Sequence, residues 1–530
     1  MTAAIRARAQ AEPDGLALAD DSGTRTWAQV AADLNHAAGA LLAAAPGSAE
    51  RVSVIGENAI PTLEAHAAAL TVGVGTVATS RLLRAAELAD QYTDAGVVCA
   101  IAGPASLPAV REAAAQAGLR IIVTHGTKEP DGPDTPDGAA APDGAAAPGG
   151  VLPWAGWLAS APPVPPDAGQ RPPRPPLVYT SGTTGRARGA EVRWTVTLPR
   201  TAAEYVAAIT AESGFPPGPH LVVGPLQHNA PLTSVRHLLA GQPVIILGRF
   251  DAETILRLIA EHGVTSSVMV PTHFQRLLAL PAEVRDRYDV SSLRMVSQTG
   301  SACPADTKLA MINWFGPILT ESYGGSESGT LCRIDSTEWL AHRGSVGRPR
   351  APYQVVVTGE DGGELGAGQV GVLGFRAPEG RGPRYHADPE KTRKAYVAPG
   401  VFTLGDVGYV DQDGYVYITD RIADMVVSGG VNLYPAESEK VLITHPAVTE
   451  VAVIGVPHPD LGESLLALVV PAGDPPDAAG LEAWCRERLA PYKVPRAYEF
   501  RTELIYNAMG KPDKKAMRAP YWSTDRTIAG

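Results

Sequence analysis

The chain has 530 residues, of which 45% are hydrophobic and 19% charged, and its formal net charge is −11. This length predicts two or more domains, and the acidic charge argues against nucleic-acid binding through bulk positive charge. The four cysteines are far apart and include no C-x-x-C pair, which argues against a zinc site and a disulfide framework. The N-terminus lacks the apolar core of a signal peptide and the chain has no apolar run of about 18 residues, so we expect a cytoplasmic protein without membrane insertion.

Apolar periodicity predicts strands alternating with helices, as in a parallel sheet. Between 127 and 176 the periodicity stops and Pro-Asp-Gly occurs three times, which predicts a flexible surface loop. From Ser345 to Tyr417 a period of two and the pair Asp413-Gly414 predict a β-rich part with a hairpin. The predicted helices are 27–45, 60–70, 104–117, 252–262, 272–280, 436–444 and 481–489, and the predicted strands are 51–55, 97–101, 119–123, 221–223, 244–247, 267–270, 294–299, 451–456 and 465–470.

These elements predict an α/β fold with two domains. The large N-terminal domain, residues 1–421, would contain α/β subdomains and a β-rich subdomain. The small C-terminal domain, residues 422–530, would be a compact α+β unit.

A stretch rich in hydroxyl groups follows the apolar run that ends at Tyr179. It reads Thr180-Ser181-Gly182-Thr183-Thr184-Gly185, and the cations Arg186 and Arg188 come next. Glycines let successive backbone N–H groups point at one spot, hydroxyls donate further hydrogen bonds and arginines supply positive charge, so the stretch suits a phosphate group. Its spacing differs from that of the Walker loop. By itself, such a cluster after a strand is equally compatible with a plain turn.

Three further segments contain candidate ligand-binding residues, and the first two follow predicted strands, where open α/β sheets bind ligands. The run Pro225 to Pro231 contains His228, the segment Thr299 to Ala302 is rich in small residues, and the segment Glu321 to Glu327 contains Tyr323. The tyrosine ring offers a flat face for a purine, and a carboxylate such as that of Glu327 can hold Mg²⁺. The ordinary alternatives are a packed or solvent-facing histidine and a glycine-rich turn with exposed acids.

The C-terminal third of the chain adds an aspartate, an arginine and a lysine. Asp406 could accept two O–H groups through its carboxylate, and Arg421 lies near the predicted domain boundary. Lys511 ends the loop Asn507 to Lys511, and an ammonium group there could lower the repulsion between two anions. The alternatives are a turn aspartate and a solvated surface lysine.

The stretch from Thr180 to Arg188 closely resembles the phosphate-binding signature of the adenylate-forming superfamily, which comprises acyl-CoA synthetases, peptide-synthetase adenylation domains and luciferases. The other motifs follow in the order of that family, and the pattern is most similar to acyl-CoA synthetases. The resemblance implies a large domain that binds ATP and a carboxylic acid, and a small mobile domain that first brings in a lysine and then presents a thiol channel. The run around His228 has no acid to pair with a substrate ammonium, which favours a mainly apolar acid without an α-amino group.

The resemblance also implies roles for individual residues. Lys511, Glu327 and His228 would be catalytic, with Glu327 as the Mg²⁺ ligand, and Ala423 would be the hinge. The acyl pocket would contain His228, Asn229, Gly300 and Gly325, and the CoA channel His228, Gly429 and Gly430. ATP, or an acyl-adenylate, would be bound by a larger set: Thr180, Ser181, Gly182, Thr183, Thr184, Gly185, Arg188, Gly300, Ser301, Ala302, Glu321, Ser322, Tyr323, Gly324, Ser326, Asp406 and Arg421.

Some positions depart from the family pattern. Arg188 stands where lysine is usual, Ala423 where Asp or Lys is usual, and Ile505-Tyr506 where Pro and a basic residue often occur. Because a guanidinium is bulkier than an ammonium, Arg188 leaves open a ligase that performs only thioester formation, with acyl-adenylate from a partner enzyme. A non-catalytic sensor of acyl-adenylate or acyl-CoA is another alternative. The acceptor thiol, CoA or the pantetheine of a carrier protein, and the identity of the acid stay open.

Overall fold

The computed structural model describes residues 1–125, 150–180, 188–192, 194–359, 361–428, 431–507 and 511–522. The strands are β1 Leu16–Asp20, β2 Gly23–Thr26, β3 Arg51–Ile55, β4 Gly75–Thr79, β5 Val97–Ala102, β6 Ile121–Thr124, β7 Val151–Pro153, β8 Leu177–Thr180, β9 Arg188–Glu191, β10 His220–Val222, β11 Val244–Ile246, β12 Ser266–Met269, β13 Met295–Gln298, β14 Leu319–Gly325, β15 Gly329–Asp335, β16 Ser345–Pro349, β17 Gln354–Thr358, β18 Gly371–Arg376, β19 Tyr396–Ala398, β20 Val401–Val410, β21 Val416–Arg421, β22 Val426–Ser428, β23 Val431–Leu433, β24 Val448–His458, β25 Gly462–Pro471 and β26 Ala497–Phe500. The helices are α1 Ala3–Ala11, α2 Trp27–Ala44, α3 Ile60–Thr71, α4 Ala85–Ala95, α5 Leu107–Ala117, α6 Trp154–Ala159, α7 Ala202–Ala211, α8 Asn229–Leu232, α9 Val235–Leu239, α10 Ala252–His262, α11 Pro271–Leu278, α12 Ala282–Arg285, α13 Ala305–Phe315, α14 Ser336–Ala341, α15 Pro389–Lys394, α16 Pro435–Leu442, α17 Ala478–Arg486 and α18 Lys514–Arg518.

The first compact unit contains the described residues of 1–180, 188–343 and 381–393. One of its sheets has the order β15-β14-β13-β12-β10-β11-β1-β2, and the other has the order β7-β6-β5-β3-β4-β8-β9. Both are parallel in their centre, and the antiparallel pairs β1–β2, β14–β15 and β8–β9 lie at the ends of these runs. The central strands β3 and β4 are buried along their whole length, as expected for a sheet covered on both faces.

The second compact unit contains the described residues of 344–380 and 394–522. One sheet is antiparallel with the order β17-β18-β20-β21-β16, and β19 pairs with β20. The other has the order β23-β22-β25-β24, with β26 parallel to β25. Its core is formed by apolar side chains such as Val453, Leu465 and Leu481.

The predicted α/β fold class, with a large N-terminal part and a small C-terminal sheet domain, is confirmed. The predicted Asp413-Gly414 hairpin is also confirmed, because β20 and β21 pair antiparallel around Gly414, whose φ is +84°. The domain boundary between residues 421 and 422 stays a prediction. Among the described residues, none of the helices combines the length and the apolar character needed to cross a bilayer.

The predicted flexible loop at 127–176 needs correction in its C-terminal half. Residues 127–149 lie outside the described residues, but β7 and α6 come soon after them. The side chains of Trp157 and Leu158 in α6 are buried. The high proline and alanine content concealed a short apolar helix that packs against the rest of the unit.

Candidate active site

Three of the predicted site segments in the first unit follow strands of one sheet. Strands β10, β12, β13 and β14 are neighbours and run parallel. The run with His228 follows β10, the segment Thr299 to Ala302 follows β13, and the turn with Glu327 follows β14. Since the carboxyl ends of parallel strands meet at one edge of a sheet, the fold brings these three segments to the same edge.

The segment after β13 is held in place by two side-chain bonds. Thr299 Oγ1 donates to the carbonyl oxygen of Ser322 at 2.9 Å, and Gln298 Nε2 donates to that of Ser301 at 2.9 Å. Gly300 has a φ of +92°, a conformation that side chains rarely adopt. Gly300, Ser301 and Ala302 are exposed, so this small-residue segment is a surface that a ligand can approach.

The carboxylate of Glu321 points away from solvent and forms an internal ion pair. Its Oε2 lies 2.6 Å from Nζ of Lys308, and both side chains are almost fully buried. The Lys308 ammonium also lies 4.7 Å from the centre of the Trp339 ring. Burial raises the pKa of Glu321, although Lys308 opposes this shift. Glu321, which the sequence predicts to bind the nucleotide, thus forms a buried ion pair that the sequence did not indicate.

The turn between β14 and β15 carries Glu327. A Cβ atom on Gly324 would lie 1.9 Å from the carbonyl oxygen of Gly329, so position 324 accepts no side chain without a shift of the turn. The Gly325 N–H donates to Ser328 Oγ at 2.8 Å, which closes the turn. Tyr323, Ser326 and Glu327 are half-buried here.

Tyr385 was not singled out in the sequence, yet it contacts Glu327 directly. Its hydroxyl donates to Glu327 Oε1 at 2.9 Å. Burial and the neighbouring Glu327 raise the pKa of Tyr385, so the hydroxyl keeps its proton. Among the described residues, the other carboxylate oxygen of Glu327 accepts no hydrogen bond. A half-buried carboxylate with one oxygen available fits Mg²⁺, which proteins usually hold through one or two carboxylates together with substrate phosphates.

The run after β10 places His228 immediately before the short helix α8. The His228 N–H donates to the carbonyl oxygen of Pro225 at 3.0 Å, and Asn229 Oδ1 accepts from Trp194 Nε1 at 2.8 Å. Both His228 and Asn229 are half-buried. These two residues therefore line the same sheet edge as Gly300 and Gly325.

The side chain of Asn58, which follows β3 of the other sheet, forms hydrogen bonds to the backbone at the start of the run that contains His228. Its Nδ2 donates to the carbonyl oxygens of Gly224 and Leu247, each at 3.0 Å, and its Oδ1 accepts from the Leu226 N–H at 2.8 Å. One side chain thus joins the ends of β3, β10 and β11. Sequence reasoning missed Asn58 because its partners lie more than a hundred residues away along the chain.

Replacing Asn58 with alanine should lower the free energy of unfolding by about 1–3 kcal/mol, because the N–H of Leu226 and two carbonyl groups lose their partner. Urea unfolding of the purified variant measures the change. Asn35→Ala is the matched control, since Asn35 is exposed on α2. Equal urea midpoints for the two variants would contradict the expected role of Asn58.

The second unit brings Asp406 and Arg421 together. They are directly opposite each other in the β20–β21 pair, and Arg421 Nε donates to Asp406 Oδ1 at 3.0 Å. The Asp406 side chain is 4% exposed and that of Arg421 is 62% exposed. The two residues predicted to contact the ribose therefore form one ion pair at the end of a hairpin.

Lys511 is exposed and contacts Asn507. Its N–H donates to Asn507 Oδ1 at 3.2 Å, and the Asn507 N–H donates to the carbonyl oxygen of Lys511 at 2.9 Å. Residues 508–510 between them lie outside the described residues. Two hydrogen bonds thus join Asn507 and Lys511 to each other.

The predicted hinge residue Ala423 lies in the 3₁₀ turn Ile422–Asp424. Just before this turn, the Asp420 carboxylate accepts the N–H groups of Arg421 at 2.7 Å and Ala436 at 3.0 Å. Burial raises the pKa of Asp420 to about 6. This carboxylate therefore ties the end of β21 to the first turn of α16.

Several predicted residues cannot be placed. Of Thr180 and Arg188 only the backbone is described, and they are opposite each other in the β8–β9 pair. The others lie outside the described residues: Ser181, Gly182, Thr183, Thr184, Gly185, Gly429 and Gly430. The roles of all predicted site residues stay predictions.

Two curated relatives are each 36% identical to this chain over nearly two thirds of its length. A long-chain-fatty-acid–CoA ligase of Bacillus subtilis (strain 168) is 36% identical over 344 residues, which are 63% of this chain and 60% of the ligase. A feruloyl-CoA synthase of Amycolatopsis sp is 36% identical over 352 residues, which are 64% of this chain and 69% of the synthase. The match thus spans less than two thirds of the Bacillus ligase.

Solved structures resemble the chain over nearly its whole length. ATP-bound MatB from Rhodopseudomonas palustris has a TM-score of 0.76 and 26% identity, covering 98% of this chain and 99% of MatB. The amide bond synthetase McbA from Marinactinospora thermotolerans has a TM-score of 0.78 and 24% identity, covering 98% of this chain and all of McbA (100%), and it supports the fold alone.

Two family descriptions match the chain, and together they cover most of it. The AMP-binding enzyme family matches residues 5–382. The C-terminal domain of AMP-binding enzymes matches residues 437–511. The chain therefore belongs to the AMP-binding enzyme family.

Proposed function

We propose that this chain is an AMP-forming acid–CoA ligase that activates a mainly apolar carboxylic acid as an acyl-adenylate and then forms its CoA thioester. The observation that carries the proposal is the meeting of the His228, Gly300 and Glu327 segments at one edge of a parallel sheet. Relatives that are 36% identical are named as a fatty-acid–CoA ligase and a feruloyl-CoA synthase, and a 26% identical structure contains ATP.

In the first half-reaction, a carboxylate oxygen of the acid attacks the α-phosphorus of ATP, and the bond from that phosphorus to the bridging oxygen breaks to release pyrophosphate. Glu327 would hold Mg²⁺, which neutralises phosphate charge when bound. Lys511 would place its ammonium between the two anions as they meet. Tyr323 would stack on the adenine, and the Asp406–Arg421 pair would bind the ribose hydroxyls.

In the second half-reaction, the CoA thiolate attacks the acyl carbonyl carbon and AMP leaves with the electron pair of the broken C–O bond. His228 would line both the acyl pocket and the path of the thiol, and Gly429 and Gly430 would leave room for the pantetheine arm. We further propose that residues 422–530 form the alternating domain and that Ala423 is its hinge. The pantetheine of a carrier protein is an alternative acceptor because it presents the same thiol arm.

The acid is proposed to be aliphatic, aromatic or polycyclic. The run from Pro225 to Pro231 contains no carboxylate that could pair with a substrate ammonium. Asn229 is already bonded to Trp194, and this contact adds an indole ring beside the predicted pocket. Both features favour an apolar ligand that lacks an α-amino group.

Exchange of radiolabelled pyrophosphate into ATP, measured with a panel of fatty and aryl acids, tests the first half-reaction. Lys511→Ala should reduce the exchange by about 10²–10³-fold, a size typical for the loss of a group that stabilises developing charge. Lys515→Ala is the matched control, because Lys515 is also an exposed lysine of this C-terminal segment. Equal exchange rates for the two variants would contradict the role proposed for Lys511.

Arg188 favours a second candidate, a ligase restricted to thioester formation. Arginine replaces the lysine usual in this loop, and its planar fork fits less easily between phosphate oxygens. Such a protein would convert a synthetic acyl-adenylate and CoA into thioester but would show no pyrophosphate exchange with any acid. Exchange in the absence of CoA would remove this candidate. If the protein neither exchanged pyrophosphate nor formed thioester from the synthetic adenylate, the remaining candidate would be the non-catalytic sensor.

A further inference from the structure

Tyr385 is held in place by contacts on several sides within the first unit. Its backbone pairs with Ala190 in an isolated antiparallel bridge, and its N–H donates to Thr392 Oγ1 at 3.0 Å. The ammonium of Lys391 lies 4.0 Å from the centre of the Tyr385 ring. The Tyr385 backbone is therefore held by two hydrogen-bonded partners, and the Lys391 ammonium lies over one face of its ring.

The backbone partner of Tyr385 belongs to β9, the strand that follows the hydroxyl-rich stretch 180–185 in sequence. The next residue, His386, donates its N–H to the carbonyl oxygen of Gly189 at 2.7 Å. Gly189 is tightly enclosed, because a Cβ atom there would lie 3.2 Å from the Tyr179 ring and 3.4 Å from the His386 Cβ. The segment of Tyr385 and His386 is thus fixed against β9 with little room to slide.

The hydroxyl of Tyr385 reaches across to the turn after β14 and donates to Glu327 Oε1 at 2.9 Å. This bond leaves Oε2 as the carboxylate oxygen that has no hydrogen-bond partner among the described residues. Glu327 and β9 belong to different sheets, and Tyr385 is a direct connection between them. A group that hydrogen-bonds to a metal ligand orients that ligand, and its removal commonly lowers the affinity for the metal.

We propose that Tyr385 is a positioning residue that orients Glu327 Oε2 towards Mg²⁺. Through its backbone contact with β9, it would also hold this carboxylate at a fixed position relative to the strand that follows the phosphate-binding stretch in sequence. This inference rests on the proposed function, in which Glu327 holds Mg²⁺ against the phosphates of ATP. In this role Tyr385 would act through Glu327 and would not itself bind the metal. Because its hydroxyl donates to Oε1, Oε2 would be the oxygen left to hold the ion.

The test is the affinity of the intact protein for Mn²⁺, measured by electron paramagnetic resonance in the presence of the non-cleavable analogue adenosine 5′-(α,β-methylene)triphosphate. Tyr385→Phe should weaken Mn²⁺ binding by about 10-fold, as is usual when a partner of a metal ligand is removed. Binding of the analogue in EDTA should be unchanged. A merely structural tyrosine would affect both measurements alike.

Tyr179→Phe is the matched control. Tyr179 also donates its hydroxyl to a carboxylate, Asp94 Oδ2 at 2.6 Å, in the same sheet as β9. This variant should bind Mn²⁺ as the parent protein does. In a Glu327→Gln background, Tyr385→Phe should cause no further loss, since the two residues act through one contact.

Equal Mn²⁺ affinities for Tyr385→Phe and Tyr179→Phe would overturn the inference, as would an undiminished effect of Tyr385→Phe in the Glu327→Gln background. Either result is compatible with the proposed function if the parent protein exchanges pyrophosphate. If the parent protein binds no Mn²⁺ with the nucleotide analogue and exchanges no pyrophosphate, both the inference and the adenylation half of the proposed function are wrong.

Discussion

Replacing Lys308 with methionine should lower the free energy of unfolding by about 3–5 kcal/mol, the usual cost of leaving one partner of a buried ion pair alone. Lys308 and Glu321 are both almost fully buried, and their charged atoms lie 2.6 Å apart. Without the ammonium, the carboxylate of Glu321 would lose its only recorded ion-pair partner in the described part of the chain. Urea or calorimetric unfolding of the purified variant measures the loss.

A double variant and an exposed pair serve as controls. Lys308→Met combined with Glu321→Leu should recover most of the loss, because apolar residues of similar volume often replace a buried pair without penalty. Arg257→Met removes the exposed pair with Glu261, whose atoms are 2.7 Å apart, and should cost less than about 1 kcal/mol. A loss at Lys308 as small as that at Arg257 would mean that solvent reaches the buried pair.

Acidification should destabilise the protein through its buried histidines. Burial lowers the pKa of His66 and of His220 from 6.5 to about 3. His237, stacked on His220 with ring centres 3.8 Å apart, is shifted well below 6.5 by burial and by His220 and Arg236. Each of these imidazoles binds a proton more readily in the unfolded chain, so the free energy of unfolding falls as the pH decreases below 6.5.

At about pH 5, His66 and His220 should each reduce the free energy of unfolding by about 2 kcal/mol, the product of 1.5 pH units and about 1.4 kcal/mol per unit. Buried carboxyl groups act in the opposite direction. Burial raises the pKa of Glu64, so this group binds its proton more readily in the folded protein and favours folding as the pH falls. The net profile of the parent protein therefore contains both contributions, and a variant is needed to separate them.

His66→Gln provides this separation. His66 Nδ1 lies 2.8 Å from Thr76 Oγ1, and glutamine can retain a hydrogen bond there without titrating. The stability difference between parent and variant should shrink by about 2 kcal/mol between neutral pH and about pH 5. His36→Gln is the control, because His36 is exposed on α2. A difference that does not vary with pH would show that His66 takes up its proton in the folded state.

Elements with strong local signals were predicted well. Helix α10 was predicted with its observed ends, because Asp251 caps its start by accepting from the Thr254 N–H, and Gly263 ends it with a left-handed conformation. Strand β4, Gly75–Thr79, was missed. Its residues are small, all five are buried and they show no alternation, so it differs little from the chain around it.

The candidate site shows the same division between local and distant information. Motifs identified the His228, Gly300 and Glu327 segments, which are continuous in sequence. The side chains that hold these segments were missed, because Asn58, Lys308 and Tyr385 act on residues that only the folded sheets bring near. Nothing in their local sequence distinguishes them from ordinary polar residues.

Two glycines of the sheet edge, Gly324 and Gly300, restrict how the enzyme can be engineered. Position 324 should be left out of a combinatorial library designed to change acyl preference, because the Cβ atom of any replacement would collide with the carbonyl oxygen of Gly329. Position 300 is almost as unsuitable, since its φ is +92°. Diversity is better introduced at Asn229, which is proposed to line the acyl pocket and lies outside the turn that carries Glu327.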